Sequence, residues 1–141
     1  MVNEDNREYK PTYKPLVIYL LVLAAVVLAL ATWGVGPRFA AAAKLILLLV
    51  PWWVTGLMYI IFRGEHIYWI NGLSFKEARA AGSERRRRYA YRHFKAFLRL
   101  ALVLSAYMAL SFVHWLPVWL DIGAMLGGLV LLAFSLNGVK L

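Results

Sequence analysis

The sequence of 141 residues has no cysteine and few charged side chains, and both shortages restrict what the protein can be. Without cysteine there is neither a disulfide nor a thiolate metal site. Charged residues make up 16% of the chain, against about a quarter in a soluble domain, while 62% of the residues are hydrophobic. This composition is typical of a protein that spans a membrane.

Acidic residues are scarce as well, with 7 Asp and Glu against 16 Lys and Arg, which gives a formal net charge of +9. In a soluble protein such an excess indicates nucleic acid binding. Here the basic residues lie between apolar runs, which favours the anionic surface of a membrane, and we expect no nucleic acid partner. The chain also lacks a phosphate loop, an HExxH helix, a nucleophile elbow and a dinucleotide fingerprint. We therefore predict neither catalytic activity nor a cofactor.

Four apolar runs are each long enough to cross the hydrocarbon of a bilayer as a helix. They predict an all-α integral membrane protein whose spans cover about 16–33, 41–62, 94–116 and 118–136. Residues 1–15 are predicted to form a mobile polar tail, and residues 16–141 a single transmembrane domain. A cleaved signal peptide is the alternative for the first run, but the length of that run and the acids before it favour a retained span. Lys44 is expected to extend to the headgroups, and Pro51 to kink its helix.

The connector, residues 63–93, joins the two predicted hairpins. Its aromatic segment, residues 67–70, is interpreted as a belt at the membrane interface. Ser74 and Glu77 fit a capping box, and Gly82 is predicted to end the short helix that the box begins. A cytoplasmic connector leaves 14 basic residues inside and two outside, so both termini are predicted to be cytoplasmic.

Helical spacing gathers five basic residues of the connector and the following span into one stripe: Arg85, Arg88, Arg92, Lys95 and Arg99. We call this set the basic stripe. It predicts an amphipathic helix that binds anionic lipid. The alternative is a docking surface for an acidic protein partner or a phosphorylated headgroup, since arginine suits bidentate phosphate contacts. Arg86 and Arg87 are expected to project away from the stripe.

Small residues in the last two spans predict close helix packing. The fourth span has a GxxxG pattern at Gly123 and Gly127, with Gly128 beside it. The third span has Ala101, Ser105 and Ala109 at intervals of four residues. The pattern leaves open whether these faces meet within one chain or between chains, and the tight turn at Pro117 favours the first.

Few polar side chains in or near the spans suggest chemistry. His114 and Asp121 flank the turn at Pro117 and form a possible polar pair, capable of relaying a proton. The simpler interpretation is that Asp121 stabilises a helix N-terminus and His114 faces headgroups. Glu65, His66 and His93 form the only set of metal-ligand types, and because no regular spacing joins them we predict no metal site.

Three classes of function remain open. We favour a small non-catalytic membrane protein, an accessory or regulatory subunit that packs against a larger membrane partner and binds anionic lipid. The second is a homo-oligomeric channel or small transporter, with Thr55 and Gly56 lining a path. The third and weakest is an enzyme acting on lipid headgroups, because no carboxylate and histidine stand beside a nucleophile.

Overall fold

The computed structural model describes residues 9–70 and 72–141, and within these ranges every regular element is a helix. The helices are α1 (Lys14–Trp33), α2 (Phe39–Gly64), α3 (Phe75–His114) and α4 (Val118–Leu136), with short 3-10 turns at Gly36–Arg38 and Ile67–Trp69. All four helices are long and apolar enough to cross a membrane. The prediction of four long apolar helices is thus confirmed at this level, whereas their insertion in a bilayer stays a prediction.

Local sequence explains where the helices begin and end. Pro15 lies in the first turn of α1, where its missing N–H is not needed. Glu65 ends α2 in the left-handed conformation, with φ of 56°. At the start of α3, the Ser74 hydroxyl accepts a bond from the backbone N–H of Glu77, whose carboxylate accepts one from the backbone N–H of Ser74. The predicted capping box is present.

Gly82 interrupts α3, as the sequence predicts. Its φ of 76° and ψ of 160° are non-helical, so a short helix and a long one meet there at a kink. Glycine is suited to this position because residues with a Cβ rarely adopt positive φ. Directly after the kink, the Ser83 hydroxyl donates to the Glu65 carboxylate at 2.6 Å.

The four helices run antiparallel in chain order, so the bundle has two ends. The connector end holds residues 63–93, and the turn end holds the links around Gly36 and Pro117. Helix α2 is central: it packs most extensively on α3 and also contacts α1 and α4. Helix α1 packs mainly on α2, and none of its residues is buried.

The best-packed apolar core lies at the connector end. Its buried residues are Ile61, Ile67, Tyr68, Ala78 and Ala90. The prediction that residues 67–70 form an interfacial belt is therefore wrong for Ile67 and Tyr68, which are 0% and 6% exposed. They fill the space between the end of α2 and the two parts of α3.

Tyr9 and Thr12, within the predicted mobile tail, are hydrogen-bonded to the connector, and residues 1–8 lie outside the described ranges. The Tyr9 hydroxyl donates to the backbone oxygen of Glu65 at 2.6 Å. The Thr12 backbone oxygen accepts from the Tyr68 hydroxyl at 3.0 Å and from the Trp69 indole at 2.9 Å. These bonds fix the segment before α1 to the connector.

The small residues of α4 do not all pack as predicted. Within the chain the close approach is at Gly128, where an added Cβ would lie 2.7 Å from a methyl group of Leu100. A Cβ at Gly123 or Gly127 would meet nothing within 4 Å. The GxxxG pair is thus not the contact between α3 and α4, because both glycines face open space. A contact between chains through this pair stays a prediction.

The small residues of α3 also face a different neighbour. Ala101 is fully buried, and Ser105 accepts a bond from the Trp52 indole of α2 at 2.8 Å. Ala109 is exposed and lines a cleft between α3 and the first two helices. Ser105 and Ala109 therefore lie toward α2, and the single seam predicted between these residues and the glycines of α4 does not form.

Candidate functional site

The basic stripe forms a cationic face along the connector end of α3. All five of its members are exposed. Arg88 pairs with Glu84 one turn earlier at 2.7 Å, and both side chains are largely in contact with solvent. Within the described residues no acidic side chain pairs with Arg85, Arg92, Lys95 or Arg99. The face therefore presents strong positive charge to any anion that approaches it.

Arg86 lies off the basic stripe, as helical spacing predicts, but its side chain is buried in the interior, whereas that of Arg87 is exposed. Its guanidinium donates to the Glu65 carboxylate at 2.9 Å and to the backbone oxygen of Ala78 at 3.3 Å. The same group lies 4.1 Å above the ring of Tyr9. Burial raises the pKa of the Tyr9 hydroxyl well above its usual value, so this tyrosine stays neutral beneath the cation.

Glu65 anchors the connector. It ends α2 in a conformation that is uncommon for a residue with a side chain. Its carboxylate accepts bonds from Ser83 and Arg86 and lies 3.6 Å from the guanidinium of Arg87. One acid thus joins the end of α2 to the start of the long part of α3, and this fixes the direction in which the basic stripe faces.

Two cationic clefts lie beside the stripe. The first, of about 330 Å³, is formed by Arg92, Lys95 and Arg99 together with the end of α4. The second, of about 210 Å³, is formed by Arg85, Arg88 and Arg92 together with Lys140. The stripe is therefore grooved where α3 meets the C-terminal segment, and not a flat charged surface.

A second polar site lies at the turn end, where Lys44, Ser111 and Asp121 meet. The Lys44 ammonium is 2.6 Å from one oxygen of the Asp121 carboxylate, and the two side chains are 1% and 0% exposed. The Ser111 hydroxyl donates to the other oxygen at 2.6 Å and accepts a bond from Lys44. Lys44 thus does not extend to headgroups, because a buried acid from α4 and a hydroxyl from α3 satisfy its charge.

His114 and Asp121, the predicted polar pair, are not brought together in this way. His114 is exposed at the end of α3, whereas Asp121 is buried. The hydrogen bonds of Asp121 within the described residues run to Lys44 and Ser111. The carboxylate therefore belongs to a cluster that joins α2, α3 and α4.

The chemistry of this cluster follows from its burial. A serine hydroxyl beside a lysine is an arrangement that some hydrolases use for nucleophilic attack. Here Ser111 is fully buried, and its hydroxyl both donates to an acid and accepts from the ammonium. The cluster holds a satisfied ion pair and presents no nucleophile at a surface. It resembles a structural link or a proton-carrying group more than an acyl-transfer centre.

The predicted set of metal-ligand types is separated by the fold. The His66 imidazole stacks on Trp69 at 4.5 Å between ring centroids, and that of His93 lies 3.1 Å from the backbone oxygen of Tyr89. Burial lowers the pKa of both imidazoles. In the described part of the chain no group of three or more potential ligands is close enough to hold a metal ion.

The residues expected to line a channel are occupied by packing. Thr55 is buried, and its hydroxyl donates to the backbone oxygen of Pro51, one turn earlier in α2, at 2.8 Å. The Tyr19 hydroxyl of α1 covers Gly56 and donates to the backbone oxygen of Trp53 at 2.6 Å. Gly56 therefore faces α1, and Thr55 is buried with its hydroxyl bonded to its own helix.

Compared with protein-family models, with curated proteins and with solved structures, the chain matches none of them.

Sequence reasoning missed the partners of Lys44 and Arg86. Each is a basic residue whose acidic partner is remote in sequence, 77 residues away for Lys44 and 21 for Arg86. One signal was present in the sequence. Lys44 and Asp121 are the first charged residues within α2 and α4, and a charge inside an apolar run requires a partner.

Proposed function

We propose that the chain is a small non-catalytic integral membrane protein whose cationic connector face binds anionic lipid, and that it acts as an accessory subunit of a larger membrane partner. The observation that carries the lipid-binding part is the exposed basic stripe with its two clefts. Each Lys or Arg near an anionic surface contributes about 1 kcal/mol of attraction. Five of them on one face make anionic lipid the expected neighbour.

In the orientation that we propose, both termini and the connector lie in the cytoplasm. It rests on the bias of basic residues toward the connector end, which usually sets the topology of short-looped membrane proteins. The accessory role rests on the exposure of large apolar side chains along α1, α3 and α4, such as Leu28, Val113 and Phe134. Lipid covers part of that surface, and a membrane partner is proposed to cover the rest.

Lipid enrichment in nanodiscs tests the lipid-binding part. The protein is placed in discs of mixed phosphatidylcholine and phosphatidylglycerol, and the lipids that stay with it after extraction are quantified. We expect phosphatidylglycerol to be enriched, and the triple variant Arg85→Gln, Arg88→Gln, Arg92→Gln to lose most of the enrichment. The matched control is the double variant Lys76→Gln, Arg79→Gln, which removes exposed charges that lie before the Gly82 kink. Equal enrichment in all three proteins would contradict the assignment.

A proton or ion carrier is the second candidate, and the Lys44–Asp121 pair is the observation that favours it. Ionisable residues buried between spanning helices often mark ion or proton pathways. The pair lies close to the turn end, which makes proton exchange from that side the expected activity. In proteoliposomes that contain a pH-sensitive dye, a carrier would dissipate a proton gradient, and Asp121→Asn would abolish the flux. Absence of flux from the unaltered protein would remove this candidate.

A further inference from the structure

An apolar groove runs between α3 and α4 and has no side chain to fill it. Its volume is about 600 Å³, and Leu100, Val103 and Leu131 are among its walls. Gly127 and Gly128 form its floor, and a Cβ added at Gly127 would meet nothing within 4 Å. The groove exists because α4 carries two adjacent glycines where α3 carries branched side chains.

The groove opens directly into the cationic cleft at the connector end. Ala96, Arg99 and Ser135 line both spaces, and Arg92 and Lys95 line the cleft beyond them. The groove and the cationic cleft therefore form one continuous space that is apolar along most of its length and basic at one end. The order of its surfaces matches a molecule with a long apolar chain and an anionic head.

The dimensions of the groove agree with such a molecule. Its apolar part extends along α3 from Arg99 to Tyr107, which is about 12 Å at the rise of an α-helix. One leaflet of a bilayer is about 15 Å of hydrocarbon. An acyl chain that leaves a headgroup beside Arg99 thus ends near Tyr107, at about the middle of the membrane.

We propose that this groove holds one anionic phospholipid, with an acyl chain over Gly127 and Gly128 and the phosphate between Arg92, Lys95 and Arg99. The inference rests on the proposed cytoplasmic lipid-binding face and deepens it. General attraction of the basic stripe to a charged surface selects no particular lipid molecule. The groove adds a specific place for one chain, and the two arginines supply planar donors suited to a phosphate.

Charge distinguishes a lipid from a second protein helix as the occupant. A helix from another chain would cover the GxxxG face evenly, with Gly123 and Gly127 both in contact. Here Gly127 lies in the groove, whereas Gly123 is open but lies outside it. The groove instead continues into a cleft with three cations, which complements an anionic head better than an apolar helix.

Native mass spectrometry tests the proposal, with phosphatidylglycerol and phosphatidylcholine of identical acyl chains as probes. We expect the protein to keep one phosphatidylglycerol under conditions that remove phosphatidylcholine. Gly127→Leu places a side chain in the groove and should lower the lipid-bound fraction about tenfold. Arg99→Gln removes a charged contact to the phosphate, which is also expected to weaken binding about tenfold.

Gly123→Leu is the matched control, because it makes the same change on the same helix outside the groove. It should retain lipid like the unaltered protein. Equal retention in the two leucine variants would overturn the proposal, and so would a dimer that Gly127→Leu disrupts, since a second chain would then be the occupant. If Gly127→Leu does not insert into the membrane, Leu131→Trp is used as the test variant instead, because it narrows the groove from an exposed position.

The mass spectrometry and nanodisc results together distinguish a failure of the groove proposal from a failure of the proposed lipid-binding function. If phosphatidylglycerol is enriched around the protein in nanodiscs but no single molecule is retained, the basic stripe acts as a general surface and the groove proposal fails alone. If no enrichment occurs in nanodiscs, the lipid-binding function itself fails.

Discussion

Removing one charge from the Lys44–Asp121 pair tests the cluster that the structure places at the turn end. In Lys44→Met a similar length of chain remains, but the carboxylate keeps only hydroxyl partners such as Ser111. In Asp121→Asn the carboxylate is replaced by a neutral group of the same shape. Each variant leaves one buried charge without its counterion.

The expected loss is about 3–5 kcal/mol of unfolding free energy for each single variant, which is typical when one partner of a buried pair is removed. An upper limit follows from the chemistry. The remaining carboxylate can instead take up a proton, which costs about 4 kcal/mol at pH 7 for a group with a usual pKa near 3.9. The loss is therefore not expected to exceed this range by much.

The double variant Lys44→Met, Asp121→Asn separates a charge pair from ordinary packing. Both charges are then gone, so the double variant should lose less than either single variant. We expect a coupling energy of about 3 kcal/mol or more. Interhelical hydrogen bonds in membrane proteins couple by only about 0.6 kcal/mol on average. A coupling energy as large as about 3 kcal/mol would therefore indicate paired charges.

Unfolding in mixed detergent micelles with increasing dodecyl sulfate supplies the four free energies. Arg38→Met is the matched control, because Arg38 is also a basic residue at the turn end but is exposed. It should cost less than about 1 kcal/mol. Single variants as mild as this control, with losses that simply add, would refute the buried pair.

Three further predictions concern the connector and its orientation. Burial lowers the pKa of His93 in the folded protein, so the unfolded state binds more protons as the pH falls through the usual histidine pKa of about 6.5. Stability should therefore fall as the pH drops through that value, and less so in His93→Asn, as followed by thermal unfolding across a pH series. The triple variant Arg85→Lys, Arg88→Lys, Arg92→Lys keeps the positive charge of the basic stripe. If lipid attraction is unspecific, its lipid enrichment should be nearly unchanged, whereas a marked loss would indicate bidentate recognition of phosphate or carboxylate. For topology, Ala80→Cys should react with an impermeant thiol reagent from the cytoplasmic side and Val35→Cys from the outside, since both positions are exposed; the reverse pattern would overturn the orientation.

The Arg→Lys comparison needs a control other than the one that the sequence suggests. Helical spacing places Arg86 and Arg87 off the stripe, which makes them attractive as neutral reference positions. The structure buries Arg86 against Glu65 and Tyr9, so its loss would destabilise the connector. Arg79→Lys is the appropriate reference, because Arg79 is exposed before the kink at Gly82.

The helices and the exposed face of α3 could be predicted from local features of the sequence. Apolar runs of sufficient length, the capping box at Ser74 and Glu77, and the positive φ at Gly82 are local properties, because hydropathy and backbone preference act over a few residues. The basic stripe is also local, since helical periodicity alone places its members on one side. These features needed no knowledge of what packs against them.

The partners of the buried charges and the shape of the surface between the helices depend on tertiary packing, and local sequence does not predict them. Lys44 and Arg86 resemble exposed basic residues in sequence, and each is buried because a distant carboxylate reaches it. Gly127 and Gly128 are adjacent and chemically identical, yet one faces open space and the other contacts Leu100. The physical reason is that helix rotation and contacts between remote segments arise from the packing of the whole bundle, which no local pattern specifies.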